Sequence, residues 1–121
     1  MNTTIEIIGY GLIVLGVGHG ITGIVLFRRP LAAMWRNGFF NAVAAHLDRR
    51  AAFWFMVFSA FLLLAGQTTL RAIATADLPL LRIVGWHMLV IGAIGAAALP
   101  RTPFWIALLC APILLWSGYA P

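Results

Sequence analysis

IEIIGYGLIVLGVGHGITGIVLF, Ile5–Phe27, decides the fold: 23 residues with a single acid, Glu6, at the start, closed by Arg28-Arg29-Pro30. A hydrocarbon core of ~30 Å needs roughly 20 apolar residues in one helix, and this run meets that length. It is not expected to be the core of a cleaved leader. MNTTIE ahead of it carries no Lys or Arg, and a signal core is only ~7–15 residues long. Three further stretches repeat the pattern. One follows Arg49-Arg50 from Ala51 to about Leu70; a second runs from about Leu80, with Asp77 placed to cap it and Pro79 in its first turn, to Leu99 before Pro100. A last one, Phe104 to about Tyr119, is only about 16 residues long, with Pro112 as an expected kink.

Composition carries the same message for all 121 residues: 63% hydrophobic and 9% charged, against roughly 45–50% and about 25% in soluble domains. A soluble globule this small could not hide so much apolar surface. The expected architecture is all-α: one transmembrane domain over 1–121, an integral membrane four-helix bundle with helices at about 5–27, 51–70, 80–99 and 104–119. The lone Cys110 excludes a disulfide scaffold. The formal charge of +5 comes with cations that are all Arg, dispersed between apolar blocks, so nucleic acid is not an expected partner.

Arginine placement sets direction. Arg28, Arg29, Arg36, Arg49 and Arg50 lie in the first connection and Arg101 in the third, against Arg71 and Arg82 in the second. The positive-inside bias puts both termini outside, the expected setting being a bacterial inner membrane. Trp54 and Trp105 then fall at the inner interface, Trp116 and Tyr119 at the outer one. Between the first two spans, Leu31, Met34, Trp35, Phe39, Val43 and Leu47 recur at helical spacing, broken by Asn37-Gly38. Residues 31–48 therefore read as one or two short helices lying in the interface. Gly16, Gly20 and Gly23 share a face with His19, and Gly85, Gly92, Gly95 and Ala96 form a second narrow stripe; both suit close helix packing, within one chain or in a homodimer.

Ionisable groups inside a membrane are costly and count first as functional candidates. His19 lies ~21 Å from the outer end of its helix and His87 ~10 Å, an offset that opposes one shared iron or metal. The polar residues are densest at HLDRR, where His46, Asp48 and Arg49 stand beside Arg50 and near Arg28, Arg29 and Arg36. Three readings are open for that cluster. Its arginines set topology while Asp48 caps a helix; or they hold an anionic headgroup or acidic ligand; or His19, His46 and Asp48 converge as a catalytic or metal site, with His87 a further weak metal candidate. Proton-coupled export would need a mid-membrane carboxylate, and none is present. Cys110, flanked by apolar residues, reads as packing.

The segments HGITG at His19–Gly23, FRRPL at Phe27–Leu31, NGFFNA at Asn37–Ala42, HLDRRAAFWF at His46–Phe55 and LPLLRIVGW at Leu78–Trp86 resemble an uncharacterised family of short bacterial four-helix membrane proteins, similar in layout to DoxX-like proteins. That resemblance implies a polytopic protein of unknown activity with His19, His46, Asp48 and Arg49 at motif positions. The expected function is a non-enzymatic module binding lipid, a small apolar ligand or a partner protein, with no cofactor; the alternative is a haem- or quinone-associated redox protein using His19 and His46.

Overall fold

Pro30 decides where the first helix stops. Its ring would clash with the carbonyl four residues back, that of Leu26, and it has no N–H to donate. In the computed structural model, which describes residues 2–119, α1 spans Asn2–Leu26 and breaks at Phe27, and α2 (Arg28–Arg36) restarts with Pro30 in its first turn, where proline is tolerated. The RRP triplet thus opens a second helix instead of merely ending the first. After it come α3 (Leu47–Ala74), α4 (Leu78–Ala98) and α5 (Phe104–Tyr119); every regular element among the described residues is helical.

Three of these, Thr3–Leu26 within α1, Leu47–Ala74 and Leu78–Ala98, are long and apolar enough to cross a membrane. α5, at 16 residues, reaches about 24 Å and falls short of the ~30 Å core by itself. Helices outrun the apolar spans at both ends of α3, which starts four residues before Ala51 and ends four after Leu70. Hydropathy reports which residues suit lipid, whereas a helix ends where its backbone bonds are closed. At the C-terminus that closure lies at Ala76, which adopts φ +52° while Ala76 N–H donates to Ile73 O (3.1 Å) and Asp77 N–H to Ala72 O (2.8 Å).

The same device ends α2. Gly38 at φ +81° donates to Trp35 O (3.1 Å) and Phe39 N–H reaches Met34 O (3.0 Å). Phe39 and Asn41 also take positive φ, so residues 37–46 form turns and bends. The apolar spacing that extends through Phe39 and Val43 is therefore helical only as far as Arg36.

By internal contacts the chain resolves into two compact units, Leu12–Leu64 and Met1–Gly11 with Ala65–Pro121. In the Leu12–Leu64 unit, α1 and α3 run antiparallel with glycines at the seam: Gly16 faces Leu63, Gly20 faces Ser59 and Gly23 faces Met56 and Phe55. Steps of four and three along α1 match equal steps back along α3. Small residues let the backbones approach closely enough for Ser59 Oγ–H to donate to Gly16 O at 2.7 Å. The other unit holds an α4–α5 hairpin in the same style, where Gly85 faces Leu115, Gly92 faces Leu108 and Gly118 faces Arg82. Asp77 caps α4 through Leu80 N–H (3.0 Å) with Pro79 at its start, as the sequence leads one to expect.

Candidate functional site

Alternation of arginine and alanine along α2 builds one face of a cleft. Arg28, Ala32 and Arg36 stand at four-residue spacing, Arg29 and Ala33 on the adjoining row, while Leu31, Met34 and Trp35 point around the other side. Met34 is buried at 3% exposure and anchors the helix; the two alanines leave room between the guanidinium stems. His46, Asp48 and Arg49, at the start of α3, supply the opposite wall. The cleft is a shallow recess, open to its surroundings, of about 820 Å³, and Arg28, Arg29, Arg36, His46 and Asp48 on it are exposed.

Arg49 differs from the other arginines. Its Nη1 donates to Ala42 O at 2.9 Å. With the Asn37 amide turned to present its oxygen, that oxygen accepts from both Nη1 (2.9 Å) and Nη2 (3.0 Å) of Arg49. One planar guanidinium thereby ties the end of α2 and the following turns to the first turn of α3. Among the described residues, Arg28, Arg29 and Arg36 make no side-chain hydrogen bond or ion pair, and neither does Asp48.

Charge in this cleft runs against helix stability. Arg28 and Arg29 open α2, and Arg49 and Arg50 lie in the first turn of α3. Cations at the positive end of a helix are disfavoured by about 0.3–1 kcal/mol each at exposed positions. Four arginines around a single carboxylate give the recess a net positive charge.

The structure therefore brings together Arg28, Arg29, Arg36, His46, Asp48 and Arg49; Arg50 and His19 are absent from the cleft lining. His19 is held on the α1–α3 seam, stacked on Phe55 (3.8 Å between ring centres, 10° between planes) with Phe58 edge-on at 5.5 Å. Its Nε2 is buried with no hydrogen-bond partner among the described residues. In the other unit, exposed His87 donates from Nδ1 to the carbonyl of Ile83 one turn back (2.7 Å). Among the described residues, no three His, Cys, Asp or Glu side chains are grouped to hold a metal ion.

Two polar features have no counterpart in the linear pattern. Ser59 is a single hydroxyl in an apolar run, and only its facing glycine carbonyl explains it. Arg82 lies over the Tyr119 ring at 4.7 Å, while Trp86 Nε1–H donates to Tyr119 Oη at 3.4 Å. Both contacts join α4 to α5 across 33 or more residues of sequence, beyond the reach of local periodicity.

A family model described as a family of unknown function (DUF6463) matches residues 3–121, so the chain belongs to that family over nearly its whole length. No curated protein and no solved structure matches it.

Proposed function

We propose, taking membership of that family of unknown function as the premise, that this chain is a multi-pass membrane protein whose cationic cleft holds an anionic lipid headgroup without catalysing a reaction on it. One observation carries the reading: Arg28, Arg29 and Arg36, which have no protein partner among the described residues, line a cleft of about 820 Å³ together with His46. Basic pockets beside spanning helices suit acidic headgroups, and guanidinium suits phosphate through paired N–H donors. Trp35 is 80% exposed and Phe40 93%, so the chain segment flanking the cleft offers apolar side chains to the acyl region next to the headgroup.

In this reading α5 is the fourth span, shorter than the bilayer core and packed on α4, and the four spans form a bundle in a bacterial inner membrane. Both termini face outward, supported by six arginines in the first and third connections against two in the second. Val14, Val17, Ile21 and Ile24 on α1, all exposed, meet lipid or a membrane partner. His19, stacked on Phe55 and absent from the cleft lining, has no part in headgroup binding in this reading.

Native mass spectrometry of the full chain, extracted from mixed vesicles of phosphatidylcholine and phosphatidylglycerol, tests the proposal. The wild type should retain phosphatidylglycerol, and a variant with Arg28, Arg29 and Arg36 changed to Gln should lose it at unchanged helical content. Each cation near a lipid surface is worth about 1 kcal/mol, so the triple change should weaken retention by about 100-fold. Retention of phosphatidylcholine alone, or equal retention by the triple variant, refutes it.

A further inference from the structure

The lone carboxylate of the cleft suits the first turn of α3, but that alone does not say what it does toward a ligand. Four arginines share the lining with Asp48, yet among the described residues Asp48 pairs with none of them. A site built only to bind phosphate gains nothing from a carboxylate, which repels the anion. The recess is open and broad, about 820 Å³, and so admits a headgroup larger than a single oxyanion. An ionised carboxylate is acceptor-only, and its natural counterpart on a ligand is a hydroxyl or ammonium donor. Its position helps: Asp48 is in the first turn of α3, across the cleft from the arginine row of α2.

We infer that Asp48 makes the cleft selective for a phosphate diester whose headgroup carries free hydroxyls, with the arginines of α2 on the phosphate and the Asp48 carboxylate accepting from the hydroxyls. This rests on the anionic-headgroup reading above and deepens it. Asp48 also favours the positive end of α3. That role bears on stability and leaves the ratio between two equally charged ligands untouched.

The test is therefore a ratio. The full chain is equilibrated with phosphatidylcholine vesicles holding equal mole fractions of phosphatidylglycerol and phosphatidylmethanol, both phosphodiesters of charge −1, of which only the first has headgroup hydroxyls. Bound lipids are counted by native mass spectrometry. A hydrogen bond to a charged acceptor should favour phosphatidylglycerol by about ten- to a hundredfold. Asp48→Asn should bring the ratio close to one, and Asp48→Glu should restore much of it; a general loss of stability cancels because both lipids compete for the same protein. A ratio near one in the wild type, or an unchanged ratio in Asp48→Asn, overturns the inference while leaving anionic-lipid binding standing. Binding of neither anionic lipid overturns both. The same diester chemistry occurs in soluble glycerophosphoglycerol, so an arm with glycerophosphoglycerol equimolar to the phosphatidylglycerol identifies the source. Displacement assigns the hydroxyl-bearing ester to the aqueous phase and refutes a lipid occupant, whereas persistence of phosphatidylglycerol supports the lipid.

Discussion

Gly20 and Ser59 offer a direct check on the α1–α3 seam. A Cβ added at Gly20 would lie 2.8 Å from Ser59 Oγ, with Ser59 Cβ next at 3.7 Å. The first distance is a clash and the second an ordinary contact. Gly20→Ala should then cost about 1–3 kcal/mol as overpacking, reduced by the ~0.5–1 kcal/mol that alanine gains over glycine inside a helix. Ser59→Ala removes the bond to Gly16 O (2.7 Å) and should cost about 0.6 kcal/mol, the average for such bonds in membranes, where glycine carbonyls already serve their own helix. In the double variant the offending oxygen is gone and the new methyl meets only Cβ. Its cost should not exceed that of Ser59→Ala, giving a favourable coupling of at least ~1 kcal/mol. The propensity gain enters both Gly20→Ala proteins and cancels in the cycle. Reversible unfolding in mixed micelles, followed by far-UV circular dichroism, measures all four corners. Additivity within about 0.5 kcal/mol, the scatter between independent sites, would refute the packing of Gly20 on Ser59.

Two other substitutions probe the turns. Ala76 holds a left-handed conformation (φ +52°) that closes α3, so Ala76→Gly should relieve roughly 1–2 kcal/mol of strain against about 0.4–1 kcal/mol of added chain entropy, for a net gain near 0.5–1 kcal/mol in the same unfolding assay; a loss would mean the turn is closed differently. Arg49→Lys keeps the charge but cannot span Asn37 and Ala42 as the guanidinium does. Amide exchange at residues 37–46 should accelerate about tenfold in Arg49→Lys as in Arg49→Gln, and wild-type exchange in the lysine variant would show that charge alone matters there.

Much of this molecule is legible along the chain because an apolar helix long enough to cross a membrane is specified locally. About 20 apolar residues, an arginine pair and a proline specify a span and its boundary without reference to any distant residue. Hence α1, α3 and α4 are visible in the sequence to within a few residues, as are the Asp77 cap and the glycine stripe on α1. The charged cluster of the first connection is also visible, since five of the eight arginines fall between Arg28 and Arg50.

Partners are another matter. His19 and the HLDRR segment both carry polar groups, and the linear pattern allows them to converge; three-dimensional packing puts His19 against Phe55 and leaves His46 and Asp48 facing the arginines of α2. The left-handed turn after Arg36 redirects the chain, so Arg49 reaches back to Asn37 and the two halves of the first connection form opposite walls. The long apolar helices and the charge bias follow from residue-by-residue solvation energies, which add along the chain. Which arginine pins a loop, which remain unpaired and which carboxylate faces them depends on contacts between residues distant in sequence, and those exist only once the backbone has closed on itself.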